Sequence, residues 1–238
     1  MKIPKHLVLF PDGNRRWALE KGLPALKGHL AGRQNFERFL FQAKKRGIKV
    51  LTVFGFSTEN WKRSKEEVNF LMKLFEEGLS EKGALGKLYK EGVKIKVIGQ
   101  KERLPKSLQK VIERIESLTK NNKKFHLNLA VSYGGRWDIL QAVKKILKKK
   151  INPEGITENL INKYLTTAGL PEPDLVIRAG GEKRFSNFLL WQSAYAELYF
   201  SDKLWPDFSE KDLDKALEDF SERERRFGGK KVKQYLKA

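Results

Sequence analysis

The segment HLVLFPDGNRRWALEKG, residues 6–22, runs from an apolar stretch, His6 to Phe10, through Pro11-Asp12-Gly13 into a helical pattern. An apolar strand that feeds straight into a helix suits a parallel β-α-β crossover in a sheet covered on both faces. The same alternation continues along the chain. VLTVFGF (50–56), VKIKVIG (93–99) and FHLNLAVS (125–132) read as strands, with LVIR (175–178) and ELYF (197–200) as shorter ones. Between them lie helix-length segments. Val68, Leu71, Met72, Phe75 and Leu79 follow the spacing of one buried helical stripe. Pro105 suits a helix start, because its missing N–H would be unpaired there anyway. Leu213, Leu217 and Phe220 line a last helix whose exposed positions carry Asp and Glu. The expected fold class is α/β: a single domain over 1–238, with a central, mostly parallel six-stranded sheet flanked by helices. KKILKKK (144–150) reads as a solvated helix end, with cations near the negative pole. The basic tail, 230–238, is expected to be flexible.

Composition narrows the chemistry. The 238 residues include 49 Lys+Arg and 29 Asp+Glu, a formal charge of +20, and 40% are hydrophobic. That apolar share argues against a disordered chain. With no cysteine, a disulfide scaffold, a thiol nucleophile and a thiolate zinc site are excluded. The amino terminus has no small-residue cleavage site, so no secretory signal is expected. The longest uncharged stretch, Phe185 to Ala196, is 12 residues, against the roughly 20 that cross a bilayer. These features point to a soluble, cytoplasmic protein whose charge draws it to nucleic acid, anionic lipid or phosphorylated substrates.

Ligands of parallel sheets sit beyond the carboxyl ends of the strands, and four unusual segments fall there. In the first, Asp12 ends strand one, Gly13 permits a tight turn and Asn14-Arg15-Arg16-Trp17 begins a helix. Helix-start amides beside guanidinium groups make an anion site. A carboxylate next to that anion calls for a bridging divalent cation, and Mg²⁺ takes carboxylate and phosphate oxygens together. A plainer reading makes Asp12 the helix N-cap. The second, GFSTENWKR (55–63), offers Ser57, Thr58, Glu59 and Asn60 for hydrogen bonding, Trp61 as an aromatic face and Arg63 as a charge, or else an ordinary cap. In the third, SYGGRWD (132–138), paired glycines admit a close neighbour, and Arg136 either faces a ligand or, the favoured reading, is the structural partner of a carboxylate beneath the site. In the fourth, Arg178, Arg184 and Ser186 bracket Gly180-Gly181, a setting for a second phosphate group. RERRFGG (223–229) adds arginine and glycine, or a helix C-cap. Two anion sites and one metal-binding carboxylate suggest a reaction between two phosphorylated substrates. Of the three histidines, His6 and His126 open strands and read as packing residues. His29 either returns to Asp12's edge or serves a helix start.

These residues resemble the undecaprenyl diphosphate synthase family of cis-prenyltransferases, over nearly the whole chain. The likeness is carried by DGNRRWA (12–18), GHLAG (28–32), FSTENWKR (56–63), YGGRWD (133–138), IRAGGEKRFSNFLLWQSAYAELYF (177–200), WPDF (205–208) and RERRFGG (223–229). It implies a non-Rossmann α/β fold, a homodimer, and condensation of an allylic diphosphate with isopentenyl diphosphate to build a Z double bond. By resemblance, Asp12 holds Mg²⁺ and acts in catalysis with Asn14 and Asn60. Gly13, Asn14, Arg15, Arg16 and Trp17 cradle the allylic diphosphate. His29, Ser57, Thr58, Glu59, Asn60, Trp61 and Arg63 place it for ionisation. Arg178, Arg184 and Ser186 bind isopentenyl diphosphate, Glu197 lies near the metal, and Arg226, Gly228 and Gly229 reach the neighbouring subunit. The stripe from Val68 to Leu79 borders a tunnel for the growing chain, or is plain core. The sequence departs from the family at Pro11, Ala25, Ser132, Ala179 and Lys183. Three other readings stand beside this one: a family member that condenses its substrates other than head-to-tail or uses an unusual acceptor, a silent subunit of a heterodimer, and a basic nucleic-acid-binding protein. No aromatic-basic RNA-binding platform supports the last, so no nucleic acid is expected. The charge would instead bring the protein to an anionic membrane.

Overall fold

A computed structural model describes residues 1–224; Arg226, Gly228, Gly229 and the basic tail lie outside the described residues. The chain runs β1 (His6–Phe10), α1 (Asn14–Glu20), α2 (Ala25–Lys45), β2 (Val50–Ser57), α3 (Lys65–Leu79), α4 (Ala84–Lys87), β3 (Val93–Ile98) and α5 (Lys106–Thr119). It continues through β4 (Phe125–Tyr133), α6 (Gly135–Lys148), α7 (Glu158–Tyr164), β5 (Leu175–Arg178), β6 (Glu197–Phe200) and α8 (Glu210–Glu222). All pairings are parallel, in the order β3-β4-β2-β1-β5-β6. The expected strands are all present, β2 and β4 each running one residue further. The chain leaves β1 toward β2 on one side and later lays β5 on the other. That reversal leaves a crevice beyond the carboxyl ends of β1 and β5.

Alternation along β1 explains its apolar run. Leu7 and Leu9 enter a large core with residues of α2, α3, α5 and α8. Val8 and Phe10 face a smaller cluster with Tyr133, Val176, Phe188 and Leu189. Leu213, Leu217 and Phe220 of α8 are buried as expected. Between β2 and β4 the register shifts at Phe54/Phe56 and again at Phe56/Ser57. Such irregularities bend a strand end and re-aim its side chains, here where β2 enters the crevice.

Arg136 does not take the role expected of it. The carboxylate beneath the sheet end is Asp138, 1% exposed, and its partners are neutral. Tyr133 Oη donates to it at 2.9 Å, Thr166 N at 2.9 Å and Gln192 Nε2 at 3.2 Å. Arg136 is exposed and starts α6, too far round the helix to reach beneath it. His6 is a packing residue, as read. Its Nδ1 donates to the Pro171 carbonyl at 2.7 Å, an assignment forced because a carbonyl only accepts, and its Nε2 meets Thr52 Oγ1 at 2.8 Å.

Burial lowers the His6 pKa from 6.5 to about 4, outweighing the hydrogen bond to Pro171. The unfolded chain therefore binds a proton at His6 below pH 6.5 that the folded chain refuses until about pH 4. Stability should fall as pH drops through this window, by on the order of 3 kcal/mol. Urea midpoints from pH 7 to pH 4 check this: His6→Gln should flatten the slope, and an unchanged slope would reject the assignment.

Candidate active site

Asp12 follows β1 and Arg178 ends β5, and the register pairs Phe10 with Arg178. The two side chains therefore emerge together. Arg178 Nη2 donates to Asp12 Oδ2 at 2.8 Å, and Gly13 N donates to Asp12 Oδ1 at 2.7 Å. Gly13 caps α1 at φ 93° with no side-chain cap, so Asp12 is not the N-cap. It turns toward the crevice. Arg178 is 3% exposed; its Nη1 donates to Ser186 Oγ at 2.8 Å and also to the Arg184 carbonyl. Arg16 Nη2 reaches the Gly180 carbonyl at 2.5 Å. The loop after β5 is thus wrapped around two guanidinium groups from the crevice.

A second cluster forms the facing wall. α1 lies close on α2 because Gly28 leaves room: a Cβ there would sit 1.9 Å from the Asn14 carbonyl oxygen. His29, inside α2, is buried with Nε2 3.0 Å from Glu67 Oε1. Arg63 Nη1 donates to the same oxygen at 2.9 Å, and Arg15 Nη1 lies 3.3 Å from Oε2. Burial pushes the Glu67 carboxyl up, but His29, Arg63 and Arg15 together hold it below the usual range. Burial likewise lowers His29, against the pull of Glu67. Glu67 is the residue sequence reading missed. Its place after the Ser64 cap looked like ordinary helix-start chemistry.

Between the walls lies a cavity of about 590 Å³. Of the anticipated residues it brings together Asp12, Gly13, Asn14, Arg15, Arg16, His29, Ser57, Glu59, Asn60, Arg63, Arg178 and Ser186. Ser57 and Asn60 also build a reciprocal cap, Asn60 N to Ser57 Oγ at 3.2 Å and Ser57 N to Asn60 Oδ1 at 3.0 Å. Other expected residues stand elsewhere. Trp61 packs against the core and donates from Nε1 to Ser132 Oγ at 2.8 Å. Thr58 donates to Glu59 Oε2 at 3.0 Å, and Trp17 is half-buried beside Lys21. The Arg184 side chain is exposed and paired with Glu182. Glu197 begins β6, level with Leu175 rather than Arg178, and accepts from Arg223 at 3.1 Å. Within one chain, then, Glu197 and Asp12 stand at opposite ends of the sheet. Phe54 and Asn187 line the cavity without having been anticipated, and Leu71 of the α3 stripe reaches it as well.

Four guanidinium groups and two carboxylates line the cavity, with Glu67 behind two of the arginines, a set of donors that could hold an anion. A second, apolar cavity of about 120 Å³ adjoins it, shared through Pro11, Asn14, His29, Gly55 and Leu71 and continuing between Phe36, Phe75, Leu79 and Leu85. Among the described residues no three acidic or histidine side chains could enclose a metal ion. Asp12, partly exposed where it follows β1, could offer one carboxylate edge. That fits a cation which keeps waters and takes its remaining ligands from a bound phosphate, as Mg²⁺ does.

The family model for undecaprenyl diphosphate synthases matches residues 10–228. An isoprenyl transferase of Aquifex pyrophilus is 51% identical over 228 residues, covering 96% of this chain and 97% of the relative. A chloroplastic nerylneryl diphosphate synthase of Solanum lycopersicum is 52% identical over 231 residues, 95% of this chain and 71% of the relative. Among solved structures, lavandulyl diphosphate synthase from Lavandula x intermedia, in complex with dimethylallyl diphosphate, superposes with a TM-score of 0.90. It shares 40% identity, over 95% of this chain and 98% of that one. The chain belongs to the undecaprenyl diphosphate synthase family and is a prenyltransferase.

Proposed function

We propose that the protein is a Mg²⁺-dependent cis-prenyltransferase, condensing isopentenyl diphosphate with an allylic prenyl diphosphate into a Z-polyprenyl diphosphate. The observation that carries this reading is the shared wall between the cationic cavity and the apolar one. A molecule that fits both has a diphosphate head and a hydrocarbon tail. The head would lie against Gly13, Asn14, Arg15, Arg16 and Arg63, and the tail along Leu71 and Phe75. The second diphosphate would lie toward Arg178 and Ser186.

Breaking an allylic C–O bond separates a carbocation from pyrophosphate, so the catalytic demand is stabilisation of departing negative charge. Fixed guanidinium groups meet it, held by Glu67 on one wall and by Asp12 and the loop carbonyls on the other. Mg²⁺ at Asp12 would neutralise part of that charge when bound. Packing the second substrate's double bond against the cation contributes by proximity. The likeness to lavandulyl diphosphate synthase with dimethylallyl diphosphate favours one other reading, a condensation other than head-to-tail on the same cavity. We also propose a homodimer in the cytoplasm: Leu140, Val143 and Leu147 line one exposed apolar stripe of α6, a face that a second copy would cover. The net positive charge supports contact with anionic membrane, where a long product is delivered; no helix of the described residues is long and apolar enough to cross one.

Purified protein with labelled isopentenyl diphosphate, a panel of allylic primers and Mg²⁺ should yield butanol-extractable lipid. No product with any primer would refute the reaction, and product masses separate it from the other condensation. Asp12→Ala should cut turnover by about a thousandfold and lower the melting temperature, since buried Arg178 loses its carboxylate, so turnover is read well below that temperature; retained activity removes the metal assignment. Glu67→Gln should lower kcat/KM for the allylic primer roughly ten- to a hundredfold, since Arg15 and Arg63 lose the charge that fixes them. An unchanged value would make the cluster a stability device alone. Vesicle flotation should show binding that rises with anionic lipid, and equal binding to neutral vesicles would reject the membrane reading.

A further inference from the structure

The loop after β5 holds three residues other than glycine in the left-handed region: Ser186 at φ 45°, Asn187 at 63° and Leu189 at 44°. Each such residue costs about 1 kcal/mol or more and persists only where its surroundings over-determine it. Phe188 supplies part of that constraint, fully buried and stacked on Phe54 with centroids 4.1 Å apart. The Asn187 side chain supplies the rest. Its Nδ2 donates to Glu59 Oε1 at 2.9 Å, and its Oδ1 accepts from Arg136 N at 2.9 Å. Its carbonyl accepts from Gly135 N at 2.6 Å. One residue therefore fastens three segments: the loop that carries Ser186, the turn that carries Ser57 to Asn60, and the start of α6. The paired glycines of YGGRWD now have a reason. A Cβ on Gly134 would stand 2.7 Å from Asn187 Nδ2 and 2.7 Å from Thr58 Oγ1.

We infer that Asn187 is a positioning residue of the reaction, the joint that fixes the Arg178–Ser186 half of the site in register with the Ser57–Asn60 half. The inference rests on the proposed function for which substrate lies on which side; the joint itself rests on the geometry. Asn187 must donate to a carboxylate and accept from an amide at once, so neither Asp nor Leu, though similar in size, can replace it. A displacement of about 1 Å at a reacting centre can cost a hundredfold in rate.

The test is a cycle of Asn187→Asp and Glu59→Gln. Asn187→Asp sets two carboxylates face to face, whereas adding Glu59→Gln reverses the hydrogen bond and restores it with no change of size. Asn187→Gly removes the side chain but accepts φ 63°, separating lost contacts from backbone strain. Asn187→Asp and Asn187→Gly should each raise KM for isopentenyl diphosphate and lower kcat/KM by about ten- to a hundredfold. In the Glu59→Gln background Asn187→Asp should cost nothing further or restore activity. Equal losses from Asn187→Asp in both backgrounds, or wild-type constants in Asn187→Gly, would overturn the inference. Calorimetric binding of inorganic pyrophosphate to the same proteins reads the joint without turnover. Weakened binding in Asn187→Asp that the double variant relieves would support it even if the wild type condensed nothing, an outcome that would sink the proposed reaction alone. Unchanged pyrophosphate affinity throughout would overturn the joint.

Discussion

The site is organised by the need to compensate one buried cation. Arg178 is 3% exposed, and a guanidinium group withdrawn from water must have its donors met. Its position at the end of β5, level with Phe10, leaves a carboxylate from the neighbouring strand and the loop that follows as the available acceptors. Asp12 and the loop's own Arg184 carbonyl and Ser186 hydroxyl meet the two terminal nitrogens, while the buried Nε is left without an acceptor among the described residues. The reversal of strand order between β1 and β5 thus becomes chemistry. It brings an acidic and a basic residue to the same crevice and makes a Gly-Gly loop fold back over them.

On the facing wall the same logic runs with the sign reversed. There the buried charge is Glu67, and its partners are Arg15, Arg63 and His29. A cation that is already hydrogen-bonded needs little rearrangement when an anion arrives, so the site bears less reorganisation cost at the moment charge develops. The two hubs explain why arginines alone do not define the site. Arg184 is as cationic as Arg178, but with its partner Glu182 in the same exposed loop its side chain is drawn to the surface.

The fold was legible because its signals are local. HLVLF, LVIR and ELYF are short runs whose strand character depends on covered faces, and the Asp12 turn lies where a parallel sheet places its ligands. The segments that line the cavity were legible for the same reason, since glycine beside arginine marks a loop. Partners distant in sequence were not legible. Nothing near Glu67 shows that His29, 38 residues away, will turn toward it. Nothing near Asn187 announces a left-handed backbone held by Phe188 packing, by the start of α6 and by a contact with Glu59, 128 residues away. Arg136 shows the opposite error. A buried carboxylate was rightly inferred beneath the sheet, but Tyr133, Thr166 and Gln192 satisfy it without a charge.

The α3 stripe shows why one pattern supported two readings. Every residue of the stripe lies in or against the core, and Leu71, Phe75 and Leu79 also border the apolar cavity, which Val68 and Met72 do not. A helix turns 100° per residue, so a stripe wide enough to be buried spans more than one neighbour. One edge of it meets the sheet and the other meets the space beside α2. Core and cavity wall are therefore properties of the same positions on one helix, and periodicity alone cannot separate them because both require the same residue types. The opposite wall of that cavity comes from α2 through Gly32, Arg33 and Phe36, a helix on which α1 lies close because Gly28 leaves room for the Asn14 carbonyl.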